Sequence, residues 1–202
     1  MIASLRGTLV SKAPTDVVVE VGGVGYGIHI SLSTFEALSD PPAEIHLWTY
    51  LHVREDALAL YGFATVEERE MFRLLIGVNG IGPRMAQGIL SGVPEGELRG
   101  HITAGNLGAL TGIPGVGRKI AERLVMELRE KLSRHTLFPT VPATTSGVGS
   151  DIREEALLAL TSLGYGKTAA ERALRGALQE LAGSAPTLEV LLKTALRNAT
   201  RS

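Results

Sequence analysis

The 202-residue sequence predicts an α+β multidomain protein with a β-rich start, an all-helical middle and a small helical module at the end. Three observations carry this. Residues 1–63 hold short runs of β-branched and aliphatic residues separated by turn signals. Residues 64–135 change to helical spacing and contain a glycine pattern that recurs 35 positions later, Gly77 falling on Gly112. Residues 136–150 carry no charge, two prolines, two glycines and a Ser/Thr excess, the composition of a flexible linker, and helical texture resumes at Asp151.

Within the first segment, Ile2–Val10 and Asp16–Val21 read as strands, the second almost continuously apolar. Val24–Leu32 alternates around Tyr26, Ile28 and Ile30, as a half-buried strand does. Gly22-Gly23 supplies the positive φ angles of a tight hairpin. Ser33–Leu38 reads as one or two helical turns capped by Ser33 or Thr34. Glu44–Val53 and Ala57–Phe63 form a second hairpin around Arg54-Glu55-Asp56. Five short strands with one helix between the third and fourth suit a closed OB-type barrel.

In the middle segment, Thr65 followed by Glu68 is a capping-box pattern opening a helix that runs to about Ile76. Pro83–Ser91, Glu95–Ile102, Leu107–Leu110 and Gly117–His135 follow. The last places Ile120, Leu124, Val125 and Leu128 on one face and charges on the other. Beyond the linker, Asp151–Leu163, Lys167–Ala182 and Thr187–Ala199 make a three-helix module over 151–202, turning at Leu163-Gly164-Tyr165-Gly166 and Gly183-Ser184-Ala185-Pro186. Its size is near the lower limit for independent folding.

Composition excludes several classes. The chain has no cysteine, so disulfides, thiolate metal sites and cysteine nucleophiles are ruled out and a reducing compartment fits. Arg6 interrupts any signal-peptide core, and uncharged stretches such as 100–117 are broken by Gly, Pro, Asn and Thr. A cytoplasmic protein without a membrane segment is the expectation. The net charge of −1 hides a gradient. Residues 1–63 carry 3 basic and 7 acidic side chains, 64–135 carry 10 and 8, and 136–202 carry 7 and 6. Anions are therefore to be met in the middle third.

The glycine repeat lies in that third. Gly77-Val78-Asn79-Gly80-Ile81-Gly82-Pro83-Arg84-Met85-Ala86 aligns with Gly112-Ile113-Pro114-Gly115-Val116-Gly117-Arg118-Lys119-Ile120-Ala121. Each copy reads as helix, Gly-x-Gly turn, then a helix with a basic first turn. Glycines let the backbone approach a ligand closely. The first amides of the following helix lack helical acceptors, and the positive end of its dipole lies there too. Gly80, Gly82 and Arg84 thus form one candidate phosphate site, and Gly115, Gly117, Arg118 and Lys119 a second. Arg123, one turn further on, extends the charge or pairs with Glu127 at i+4. Ile81 and Val116 are expected to turn inward and anchor the turns. A single Gly-x-Gly is more often a plain helix-to-helix turn. Two in the same frame, each followed by basic residues, are the helix-hairpin-helix pattern, and such a tandem pair resembles sequence-independent DNA-binding domains. Pro83 at the first helical position removes one amide donor that Arg118 keeps, so the copies are expected to bind phosphate unequally.

Around these hairpins stand Met-Ile-x-x-Leu-Arg-Gly at 1–7, Val21-Gly22-Gly23-Val24-Gly25-Tyr26, Arg54-Glu55-Asp56, Leu60-Tyr61-Gly62-Phe63, and Ala159-Leu160 leading into Leu163-Gly164-Tyr165. In this order they resemble the RuvA family, Holliday-junction-binding subunits of the bacterial branch-migration complex. The resemblance runs nearly end to end, the linker apart. It implies a homotetramer, alone or as two facing tetramers, that holds the four arms of a junction on its hairpins. It maps the family's acidic pin onto Glu55 and Asp56, which without it read as a polar hairpin tip. It implies a C-terminal module that binds the hexameric ATPase RuvB, and a junction resolvase as a further partner. Leu160, Leu163 and Tyr165 are candidates for that contact, although their helical spacing favours the module's core.

Rival readings fail on spacing. Gly166-Lys167-Thr168 imitates the end of a phosphate loop, but Thr161 stands where the loop needs glycine and a helix precedes it. Gly22–Gly27 lacks dinucleotide-binding spacing and sits between strands. A DNA glycosylase would need a lysine or aspartate in a base pocket just after the hairpin, where Met126-Glu127-Leu128 continues a plain amphipathic helix. Histidines 29, 46, 52, 101 and 135 fall in no ligand spacing. No catalytic residue, metal or cofactor is expected, and the ATPase site belongs to the partner.

Overall fold

A computed structural model describes residues 2–55, 57–135, 150–181 and 186–199. Asp56, residues 136–149 of the expected linker at 136–150, Ala182 and the turn residues 183–185 lie outside the described residues, while Ser150 belongs to the helix that follows. The chain divides into two compact units, Met1–Phe138 and Pro139–Ser202.

The first unit opens with β1 (Ser4–Lys12), β2 (Asp16–Val21) and β3 (Val24–Ile30), followed by α1 (Leu32–Ala37), β4 (Ala43–Val53) and β5 (Leu58–Phe63). The strands close a barrel in the order β1-β2-β3-β5-β4, with β1 also pairing β4 and with β3 and β5 parallel. Leu9, Val17, Val19, Ile28, Ile30 and Leu47 fill its interior. Gly22 and Gly23 take φ of 58° and 82°, the turn that joins β2 to β3. Gly7 is required by close approach, since a Cβ there would lie 2.1 Å from the Glu20 carbonyl oxygen on the neighbouring strand.

α1 starts earlier than its composition suggests. Its cap is Ser31, whose hydroxyl accepts from the Thr34 N–H at 3.0 Å, and neither Ser33 nor Thr34 serves. Thr34 is instead buried and used elsewhere. Its hydroxyl donates to the Glu68 carboxylate at 2.7 Å and accepts the Ala64 N–H at 3.0 Å, while Ser31 donates to the same carboxylate. Glu68 stands in α2 (Val66–Ile76), capped by Thr65, whose hydroxyl accepts the Glu68 N–H at 3.1 Å. The capping box is therefore half used: the Glu68 side chain turns away from the cap to join α1 to α2. A buried carboxylate so placed is stable only because two hydroxyls donate to it.

α3 (Pro83–Gly92), α4 (Glu95–Ala104), α5 (Leu107–Thr111) and α6 (Arg118–His135) complete the unit. Its main core runs from Tyr61 and Phe63 of the barrel through Met71, Phe72 and Leu75 to Ile89, Leu98, Leu124 and Leu128. The Phe72 ring lies 5.1 Å from Tyr61, 4.9 Å from Phe63 and 5.5 Å from Tyr50. Leu32 N–H donates to Ser91 Oγ and Ser33 Oγ to the Leu90 carbonyl, tying α1 to α3. Barrel and hairpins thus share one core, which holds the helical turns against the barrel as a rigid platform.

The second unit consists of α7 (Ser150–Ser162), α8 (Lys167–Glu180) and α9 (Leu188–Ala199). Ala156, Leu160, Ala170, Ala173, Leu174, Ala177, Leu191 and Ala195 form its core. The many alanines let the helices approach closely. Gly164, at φ 93°, reverses the chain after α7, and the Tyr165 N–H returns to the Leu160 carbonyl at 3.2 Å.

Candidate nucleic-acid interface

The two glycine turns have the same backbone. In the first, Gly77 N–H bonds Leu74 O, Val78 N–H bonds Leu75 O, Ile81 N–H bonds Val78 O and Ala86 N–H bonds Gly82 O, at 3.2, 3.0, 3.0 and 2.9 Å. In the second, Gly112 to Ala109, Ile113 to Leu110, Val116 to Ile113 and Ala121 to Gly117 repeat them at 3.1, 3.2, 3.0 and 3.0 Å. Every donor and acceptor is displaced by the same 35 positions. Ile81 and Val116, between the glycines, are 4% and 3% exposed and root the turns in the core.

The glycines of each pair answer to different demands. Gly80 and Gly115 take φ of 95° and 83°, a region that L side chains rarely adopt, so the turn itself requires them. Gly82 caps α3 at φ −90° and Gly117 precedes α6, and a Cβ on either would meet nothing within 4 Å. The fold does not need glycine at these two exposed positions. Their bare backbone suits the close approach of something from outside.

Among the described residues, no backbone acceptor takes the N–H of Gly82, Arg84, Gly117, Arg118 or Lys119. Pro83 occupies the first turn of α3 and withholds one donor. Arg84 and Lys119 are exposed beside these amides. Arg118 is exposed as well, but its Nε is held by Glu122 at 3.0 Å. Charge, free donors and helix ends therefore coincide twice on one rigid unit, an arrangement that holds anionic oxygens.

Arg123 turns to the first hairpin rather than to Glu127. Its Nη1 donates to the Asn79 carbonyl oxygen at 2.7 Å, across from α6 to the first turn. Neither Asn79 nor this contact stands out in the sequence, because the partners are 44 positions apart. Arg84 reaches the barrel electrostatically: burial pushes the Tyr61 hydroxyl above its ordinary pKa, and the charges of Arg84 and Arg54 oppose the rise.

Glu55 is exposed at the tip of the β4–β5 hairpin, where the Arg54 N–H closes onto the Ala57 carbonyl at 2.9 Å. Its companion Asp56 is outside the described residues. Of the tail candidates, Leu160 is fully buried and Tyr165 packs partly against the module's core. Leu163 departs from the core role its spacing favoured and is 62% exposed, because Gly164 breaks the helix directly after it. His29 pairs with Asp16, whose carboxyl is held below its usual range chiefly by the Thr15 hydroxyl, against some burial, and then by His29. No His/Asp/Glu group able to hold a metal occurs among the described residues, and none of their helices is long and apolar enough to cross a membrane.

Comparison with known proteins supplies a frame for this geometry. The RuvA N-terminal domain model matches residues 1–62, a SAM-like helix-hairpin-helix tandem model residues 72–130, and the RuvA C-terminal domain model residues 151–199. The Holliday junction branch migration complex subunit RuvA of Syntrophotalea carbinolica is 46% identical over 200 residues, covering 98% of each chain. Its namesake in Chloroherpeton thalassium is 45% identical over 199 residues, with 98% of each chain covered. That of Solibacter usitatus is 47% identical over 197 residues, 97% of this chain and 98% of the relative. With barrel, hairpins and tail module matched in order over nearly the whole length, the chain belongs to the RuvA family.

Proposed function

We propose that the protein is the non-catalytic, junction-binding subunit of a cytoplasmic branch-migration complex. Its substrate is a four-way DNA junction, recognised by shape without regard to sequence. The observation that carries this reading is the pair of turns with superimposable hydrogen bonding, each presenting free amides and a cation from one rigid platform. Amides aimed at phosphates position a duplex but carry no base information. Four copies, assembled as a tetramer, would hold four arms. Glu55, with Asp56, would then place acidic groups near the crossover, repelling phosphates and guiding strands apart as they exchange partners. The tail module would dock a RuvB-type ATPase that supplies the motor, and Leu163 is its exposed candidate contact.

A gel-shift titration of a four-way junction against linear duplex of the same sequence, at fixed near-physiological salt, tests this reading. Salt must be fixed because phosphate-dominated affinities change steeply with it. A preference of about 100-fold for the junction, about 2.7 kcal/mol at 1.4 kcal/mol per decade, is expected. Equal binding would leave a general duplex-binding protein in its place.

A further inference from the structure

We infer that Arg123 is a positioning residue that arms the first hairpin: it pins the Asn79 carbonyl inward so that the Gly80 N–H is presented outward as a phosphate donor. This rests on the proposed phosphate role of the hairpins and deepens it.

The argument starts from one peptide unit. The cis linkage among the described residues is Pro41–Pro42, so the Asn79–Gly80 peptide is trans. In a trans peptide the C=O and N–H point in opposite directions. The Asn79 carbonyl receives Arg123 Nη1 at 2.7 Å from α6. The Gly80 N–H therefore points away from α6, and no backbone acceptor among the described residues takes it. A charge-assisted bond on the carbonyl polarises the whole peptide and strengthens its N–H as a donor. The same guanidinium lies 3.7 Å from where a Gly80 Cβ would stand, an ordinary contact distance that places the brace directly beside Gly80.

The brace exists in one direction only. Thirty-five positions before Arg123 stands Gly88, which has no side chain to reach across, and Pro114 occupies the place of Asn79 in the second copy. The braced hairpin is the one in which Pro83 withholds an amide. Arg123 thus strengthens a donor in the copy that has fewer of them, and it couples the placement of the first turn to the helix of the second.

The test compares Arg123→Gln and Arg123→Lys with the wild-type full-length protein. Three quantities are read: junction affinity, the slope of log affinity against log salt, and the Gly80 amide shift and hydrogen exchange in the DNA-free protein. Arg123→Gln is expected to weaken junction binding about tenfold with the salt slope unchanged, and to move the Gly80 amide signal before any DNA is added. Arg123→Lys keeps the charge but not the reach and fork of the guanidinium, and is expected to weaken binding nearly as much. A slope smaller by about 0.9 in Arg123→Gln, with the Gly80 amide unmoved and full binding by Arg123→Lys, would make Arg123 a direct phosphate contact and overturn the proposal. Unchanged affinity in both variants overturns it as well. The amide readout needs no DNA, so failure of the brace is distinguishable from failure of the junction reading, which wild-type binding tests alone.

Discussion

The first and second hairpins share a backbone and differ in their surroundings. The first turn opens α3, whose far end is tied to α1, starts that helix with proline, and has its exposed peptide held by Arg123. The second carries an unbroken set of leading amides and two adjacent cations, but one of those cations is occupied by Glu122. A repeated sequence therefore yields repeated main-chain geometry, while the strength of each site is set by neighbours far away in the chain. The comparison can be broken at its roots, at its surface, or at the Arg118–Glu122 ion pair.

The roots give the largest effect. Ile81→Ala removes a side chain 4% exposed, and Val116→Ala one 3% exposed. Truncating Ile81 is expected to cost about 3 kcal/mol, and Val116 about 1 kcal/mol less because valine has one methylene fewer to lose. Trp48 is the sole tryptophan of the chain and packs against the core shared by barrel and hairpins, so its fluorescence in a urea titration follows this unit. Equal costs for the two variants would mean that the second turn is rooted more firmly than the first, since valine has less to lose.

At the surface, stability and binding should separate. Gly80→Ala and Gly115→Ala force a Cβ into positive φ and are expected to cost about 1–2 kcal/mol each, with binding lost alongside. Gly82→Ala and Gly117→Ala add a methyl group to open space on ordinary backbone, and should leave the urea midpoint unchanged within about 0.5 kcal/mol. Junction affinity should nonetheless fall about tenfold for each, and further for Gly117, whose hairpin offers more amides. Loss of stability without loss of binding in this second pair would show that the bare backbone at 82 and 117 serves the fold alone.

Much of this was legible in the sequence, for reasons that differ by region. The 35-residue offset located both turns, and the Gly-x-Gly spacing named Ile81 and Val116 as anchors, because a tight turn leaves a single residue free to face inward. The five strands and the closed barrel followed from alternation and turn chemistry. What escaped depends on tertiary contacts. Ser31 caps α1 because Thr34 is drawn into the buried Glu68 cluster, which no local pattern announces. Arg123 has a plausible local partner in Glu127, and its actual partner is a main-chain oxygen 44 residues away, an atom that every residue carries. Leu163 kept core spacing but lies where Gly164 ends its helix.

The ion pair of the second hairpin gives the smallest and most specific effect. Arg118 and Glu122 are exposed and one helical turn apart, a pair worth about 0.3–0.5 kcal/mol. Glu122→Gln should therefore barely change the urea midpoint. It frees a guanidinium beside the unpaired amides of Gly117 and Lys119 and removes a negative charge from the same surface. Junction affinity is expected to rise two- to threefold at low salt, with the gain fading as salt is raised. Glu127→Gln provides the control, making the same charge change on the same helix without touching Arg118. If both variants gain equally, the effect is one of general charge and the pair does not restrain Arg118. If only Glu122→Gln gains, the second hairpin works below its capacity in the native protein, as the first would without Arg123.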